Sequence, residues 1–261
     1  MPSIDRDGVA VHYEVTGSGP VVLLTHGFAA TSRMFEATAR ALSDTHTVVT
    51  WDLRGHGRSD SPDDPAAYSV PLVIGDMMAL LDAAGADRAA VAGHSVGGFL
   101  SLELHLAHPE RVEALVLIGT GPGYRRDEAR DGWNRMAESF ARSYADKGLA
   151  AMTPSPELDP SAHSGATGLV HAARGILTQR DARVLESLPS IAVPTLVVVG
   201  ALDEPFLASS RYLADRIPGA TLAVIDGAGH APNVTHAPAF DAALRDFVQR
   251  DDVRSASSRP T

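Results

Sequence analysis

Gly93-His94-Ser95-Val96-Gly97 sets a serine between two glycines at the spacing G-x-S-x-G, the pattern of a hydroxyl presented on a sharp strand-to-helix turn. The serine backbone on such a turn is strained, and side chains two positions to either side would collide. Glycines at 93 and 97 remove the collision, and Gly98 lets the following helix pack close. A serine hydroxyl is a weak nucleophile near neutral pH and needs a base beside it. Downstream, Asp203 lies just past Val199-Gly200, and His230 sits in Gly227-Ala228-Gly229-His230-Ala231-Pro232. In the order serine, acid, histidine, Ser95 reads as the nucleophile, His230 as the general base and Asp203 as the acid that orients the histidine. Glu204 and Asp226 are the competing acids, and His236 is the competing base.

The chemistry implied is acyl transfer. Attack on a carbonyl moves negative charge onto its oxygen, and two preorganised backbone N–H groups in a dry site lower that barrier by several kcal/mol. Val96, the residue after the serine, is one expected donor; Phe28, in the loop His26-Gly27-Phe28, is the other. Gly27, Phe28 and Val96, with Trp133, Met136 and Phe140, are the expected pocket residues, although core packing accounts for the last three equally well.

Eleven histidines need separate readings. His94 should point away from Ser95, and His26 should brace the oxyanion loop. His105 and His108 read as packing or surface residues. For His163 and His171 a solvated surface role is expected ahead of substrate contact. No His-Glu-x-x-His or acidic loop suggests a metal, and His105-Leu106-Ala107-His108 reads as packing or surface, so no metal or cofactor is expected.

Positioning these groups requires alternating strands and helices. Asp7-Gly8 suits a tight hairpin turn, and the alternation over 9–15 predicts an antiparallel edge ribbon. Apolar runs at 21–24, 46–51, 89–92, 112–118, 195–199 and 222–225 read as strands covered on both faces. Helical patterns fall at 34–42, 73–81, 212–217 and 240–248. Another carries Phe99, Leu102 and Leu106 on one face and stops near His108-Pro109. Such alternation predicts a mostly parallel sheet with right-handed crossovers. The stretch 121–189 breaks the rhythm with two or three amphipathic helical patterns and no strand. The expected organisation is therefore a core of 1–120 and 190–250, a helical cap at 121–189, and a flexible tail at 251–261.

The 261 residues, 44% hydrophobic and 21% charged, suit a globular core buried from both sides. A net charge of −10 with scattered Lys and Arg offers no nucleic-acid surface. The chain has no cysteine, which excludes disulfides, thiolate catalysis and Cys-based zinc sites. The N-terminus lacks the basic start and apolar run of a signal peptide, and no apolar stretch approaches the ~20 residues of a membrane span. A cytoplasmic protein is the default expectation; the oligomeric state is left open.

Taken in chain order, His26-Gly27-Phe28, Asp52-Leu53-Arg54-Gly55-His56-Gly57-Arg58-Ser59-Asp60, the Gly93-to-Gly98 turn, Gly200-Ala201-Leu202-Asp203 and Gly229-His230 resemble the α/β-hydrolase superfamily in its compact, cap-bearing esterase and lactonase branch. The resemblance implies an α/β-hydrolase fold: a mostly parallel sheet, helices on both faces, and a small helical cap inserted after the sixth strand. It implies that 52–60 is a structural loop near the pocket and not catalytic. Epoxide hydrolases and haloalkane dehalogenases of this fold carry aspartate where Ser95 stands, so they are disfavoured. Hydrolysis of a small-molecule ester or lactone is the expectation. C–C bond hydrolysis or cofactor-free perhydrolysis on the same triad are alternatives. A ligand receptor of the same fold is an alternative from another class.

Overall fold

In the computed structural model, which describes residues 2–250 and Val253, the apolar runs become the strands of one sheet. These are β1 (Ser3–Asp5), β2 (Ala10–Gly17), β3 (Val21–Thr25), β4 (Thr47–Trp51), β5 (Ala89–His94), β6 (Val112–Ile118), β7 (Thr195–Gly200) and β8 (Thr221–Ile225). Their order is β1-β2-β4-β3-β5-β6-β7-β8; β2 pairs antiparallel with β1 and β4, and all other pairs are parallel. Asp7 and Gly8 both have positive φ, 59° and 84°, and Arg6 and Val9 exchange both backbone hydrogen bonds across them. That is the two-residue hairpin turn whose twist matches the strands.

The helices are α1 (Glu36–Leu42), α2 (Val70–Ala83), α3 (Val96–Ala107), α4 (Asp127–Lys147), α5 (Thr167–Gly175), α6 (Arg183–Ser187), α7 (Glu204–Arg216), α8 (Pro232–Thr235) and α9 (Ala237–Val248). The 34–42 pattern divides into a 3-10 turn at Ser32–Phe35 and α1. Successive side chains of the central strands enter opposite cores. Leu23, Val49, Val91, Leu115 and Val197 pack on one face of the sheet, and Leu24, Val48, Ala92, Val116 and Val198 on the other. The residues of β3, β5, β6 and β7 are all buried. The expectation of two-sided cover fails at β8, where Leu222 and Val224 are 37% and 45% exposed. The reason is its position: β8 ends the sheet, with β7 on one side only.

α7 starts eight residues before the expected 212. Asp203-Glu204-Pro205 carries the missed signal, an acidic first turn with proline at its start. Between β6 and β7 lie α4, α5 and α6 with short 3-10 turns and no strand. Ala141, Tyr144, Met152, Leu169, Val170 and Ala173 of this segment form a small core together with Ala29, which comes from the loop after β3. The tail expected at 251–261 lies, apart from Val253, outside the described residues. Among the described residues no helix is long and apolar enough to cross a membrane.

The loop after β4 is tied down by a buried ion pair. Arg54 meets Asp76 of α2 through two bonds, Nε to Oδ2 at 2.7 Å and a terminal nitrogen to Oδ1 at 2.6 Å, and also donates to the Ala67 carbonyl at 2.7 Å. The carboxylate is fully shielded from solvent, and Arg6 stands 3.5 Å away. Removing one member of such a pair leaves a buried charge uncompensated, at a cost of about 3–5 kcal/mol. Asp76→Ala should therefore lower the unfolding free energy by about that much in urea titration. A loss below ~1 kcal/mol would show that the pair contributes no more than a surface one.

Candidate active site

Ser95 stands between β5 and α3 with φ 53° and ψ −118°. A non-glycine residue in this region carries strain of roughly 1–3 kcal/mol and persists only when its surroundings impose it. Here they do. The Ser95 N–H donates to Ile118, and its carbonyl accepts from Gly98 N–H at 3.0 Å and the Thr120 hydroxyl at 2.7 Å. A Cβ at Gly93 would overlap the Gly97 carbonyl, and one at Gly97 would overlap the Thr25 carbonyl. The two glycines of the sequence pattern are thus where backbone meets backbone.

The loops after β7 and β8 meet at the same edge. Ala201 N–H donates to Ile225 and Leu202 N–H to Ala228, so the two loops are joined by main chain. His230 Nδ1 and Asp203 Oδ2 are 2.9 Å apart, with the carboxylate buried and the imidazole partly exposed. A carboxylate accepts, so Nδ1 carries the proton and Nε2 keeps a lone pair. The imidazole stacks on Phe206 at 4.8 Å and lies 4.6 Å from the His94 ring. His94 Nε2 donates to the His230 carbonyl at 2.9 Å, which joins the residue before Ser95 to the histidine loop. No hydrogen bond joins the Ser95 hydroxyl to His230; bonds of this kind are often long before substrate binds and shorten with it.

The competing groups lie elsewhere. His236 bonds the Thr235 hydroxyl at 3.0 Å, and Asp226 and Glu204 are exposed. His230 with Asp203 is the pair that forms.

The loop after β3 touches the Ser95 turn at a glycine. A Cβ on Gly27 would sit 2.6 Å from His94 Nδ1 and 3.3 Å from Ser95 Cβ. The Gly27 carbonyl accepts from His26 Nδ1 at 2.7 Å and from Ala30 N–H at 3.2 Å. Gly27 C=O and Phe28 N–H belong to one planar peptide, so holding the oxygen aims the N–H the opposite way. The N–H of Val96 opens α3, where a helix offers it no acceptor.

His26 accepts from Leu53 N–H at 2.9 Å through Nε2, which requires the neutral ring. Burial pushes its pKa down to about 4, against the pull of Asp52. Burial, with His230 beside it, takes His94 down to about 3. Burial alone would raise Asp52, but His26 and the N–H donors of Arg58 and Ser32 hold it below the usual carboxylate value. Asp52 and its neighbours are committed to holding the 52–60 loop: Ser59 donates to the Asp52 carbonyl at 2.6 Å and accepts from His12 N–H.

Of the three apolar residues singled out on α4, Phe140 stacks on Phe28 at 6.0 Å and is 41% exposed. Trp133 commits its indole N–H to the Leu177 carbonyl at 2.7 Å, and Met136 is at the surface. His105 is buried on α3, and His108 faces Glu110 at 3.4 Å. His171 packs half-buried against Tyr68. The solvated role expected for His163 is wrong: it is buried, with both ring nitrogens hydrogen-bonded to main chain, because the segment around it folds down onto the loop after β3. The bracing contacts of His94, Thr120 and His163 carry no sequence signal, since each depends on a partner brought in by the fold. Among the described residues no group of three or more His, Asp or Glu side chains is arranged to hold a metal ion.

The sequence pattern of the alpha/beta hydrolase fold family matches residues 20–183. A curated relative from Variovorax paradoxus, named Putative carbamate hydrolase RutD, is 32% identical over 92% of this chain and 96% of its own length. The enol-lactonase of Burkholderia xenovorans LB400 superposes with a TM-score of 0.77 at 25% identity, over 95% of this chain and 100% of that one. A thermophilic esterase from Thermogutta terrifontis gives a TM-score of 0.79 at 26% identity, over 98% and 97%.

Proposed function

Because the chain belongs to the alpha/beta hydrolase fold family, we propose that it is a serine hydrolase that cleaves a carboxylic ester or lactone through an acyl-enzyme intermediate. The observation that carries the reading is the hydrogen bond from His230 Nδ1 to Asp203 beside the strained Ser95 turn. In this reading His230 Nε2 takes the Ser95 proton as the oxygen attacks the carbonyl. The Phe28 and Val96 N–H groups receive the charge that develops on the carbonyl oxygen. His230 then returns the proton to the leaving alcohol, and a water repeats the sequence on the acyl-serine. A lactone opens by the same steps, with alcohol and acid remaining in one molecule.

The residues 121–189 act as a cap, and Phe140 is the cap residue set against Phe28. An enol-lactonase and an esterase among the structural neighbours support ester and lactone substrates. The RutD relative favours a second reading, a carbamate, whose carbonyl the same serine would attack.

Two experiments test the proposal. A fluorophosphonate probe should add its mass to the peptide containing Ser95 and to no other. A panel of short and long acyl esters, γ-lactones, acyl-homoserine lactones and an aryl carbamate should show sustained turnover on the ester and lactone arms. Turnover on the carbamate alone would select the second reading. A single slow hydrolysis without recycling would mark a receptor of this fold and end the enzyme reading.

Phe140→Ala tests the cap. The chain-length profile should shift, with kcat/KM for long acyl esters falling about tenfold, near the loss of 1–2 kcal/mol of apolar burial, while an acetate ester changes less than ~2-fold. Equal losses on every ester with a lowered melting temperature would make Phe140 a packing residue.

A further inference from the structure

His163 joins the segment between β6 and β7 to two core loops at once. Its Nε2 donates to the Ala29 carbonyl at 3.0 Å, and its Nδ1 accepts from Gly57 N–H at 3.1 Å. A carbonyl only accepts and an amide N–H only donates, so these partners select one neutral tautomer. The ring is 8% exposed, and burial lowers its pKa, which keeps it in that form.

Ala29 is the residue this bond controls. It has φ 60°, the left-handed region that costs an L-residue roughly 1–2 kcal/mol. Such a conformation must be imposed from outside. The β6–β7 segment holds Ala29 in two ways: Ala29 belongs to the small buried cluster whose other members all come from that segment, and its carbonyl accepts from His163. Ala29 directly follows Phe28 in the turn closed by the bond from Ala30 N–H to the Gly27 carbonyl. The turn is therefore held at two carbonyls, by the adjacent His26 at Gly27 and by His163 of the β6–β7 segment at Ala29.

We propose that His163 is a positioning residue for the oxyanion turn: its grip on the Ala29 carbonyl makes the aim of the Phe28 N–H depend on the docked β6–β7 segment. The proposal rests on the serine-hydrolase reading, with Ser95 as nucleophile and Phe28 as an oxyanion donor. It means that this segment contributes to the chemical step as well as to substrate selection. His163 touches no reacting atom; it acts through Ala29.

Three substitutions test it. His163→Ala removes both bonds. His163→Gln places an amide nitrogen at about the reach of Nε2 and can keep the Ala29 bond; His163→Asn places an oxygen near Nδ1 and can keep only the Gly57 bond. The readouts are kcat and KM for p-nitrophenyl acetate, and inhibition by phenylboronic acid, whose serine adduct is tetrahedral. Each variant is assayed well below its melting temperature.

His163→Ala should lower kcat about tenfold with KM within ~2-fold, less than the ~10²–10³ lost when a whole oxyanion donor is removed. His163→Gln should recover most of kcat and His163→Asn little. The boronate inhibition constant should rise by the factor by which kcat/KM falls. An unchanged kcat in folded His163→Ala, equal rescue by Asn and Gln, or boronate affinity that does not follow kcat/KM would each overturn the proposal. If His163→Ala does not fold, the Gln and Asn variants decide the matter by the same comparison. Failure of the underlying reading looks different: wild-type protein would then be neither labelled at Ser95 by the fluorophosphonate nor inhibited by phenylboronic acid, and the proposal would fall with it.

Discussion

Ser95→Ala is expected to lower kcat for ester hydrolysis by at least ~10³-fold while the protein stays folded. The substitution removes the oxygen that would bond to the acyl group and keeps the Cβ, so the contacts that hold the turn survive. Those contacts use the Ser95 backbone: its N–H on Ile118, and its carbonyl on Gly98, Phe99 and Thr120. Alanine at φ 53° meets the same strain as serine, so the melting temperature should change by no more than a few degrees. Activity remaining in the variant would come from the Phe28 and Val96 N–H groups polarising the carbonyl for attack by water, which is why the loss is bounded. Burst kinetics add a second check, because an acyl-enzyme releases p-nitrophenol before the steady state and the alanine variant should show no burst. Near-normal turnover in folded protein would remove Ser95 from the chemistry.

Asp203→Asn should be nearly as severe, lowering kcat about 10³–10⁴-fold. Asp203 accepts from His230 Nδ1 at 2.9 Å and thereby leaves Nε2 unprotonated. An asparagine rotated to present its NH₂ would donate to Nδ1 and drive the proton to Nε2, where the ring can no longer take one from serine. The shape is conserved, so the effect falls on kcat, with little change in melting temperature. Asp226→Asn is the control: the residue is exposed and outside the His230 contact, and its replacement should change kcat less than ~3-fold. Comparable losses from the two would make the cause a general loss of negative charge at this edge. NMR of the imidazole nitrogens would report the tautomer directly, with the proton on Nδ1 in wild type and displaced in the variant.

Much of the site was readable because it depends on local constraints. A strained residue at the end of a strand needs small neighbours at fixed distances, and Gly93, Gly97 and Gly98 display that need in the sequence itself. Strands covered on both faces are largely apolar, so β3, β5 and β7 showed as apolar runs, and β6 as one interrupted only by Glu113. Asp203 and His230 drew attention because each follows such a run in a Gly-containing loop, where a side chain can face the sheet edge.

What the residues cannot carry is the identity of partners far away in the chain. The sequence determined the strand positions, the turn bearing Ser95 and the serine–acid–histidine order, because period, glycine placement and chain order are properties of neighbouring residues. Only the tertiary structure decided that His230 pairs with Asp203 and not Asp226, since that depends on which loops meet at one sheet edge. It also decided that β8 is half exposed, because an edge strand and a central one can share the same apolar run. His163 is the sharpest case. In sequence it is a polar residue among Pro, Ser and Gly. In the fold it is buried, because Gly57 and Ala29, more than a hundred residues earlier, supply the donor and acceptor that let a neutral imidazole leave water without losing a hydrogen bond.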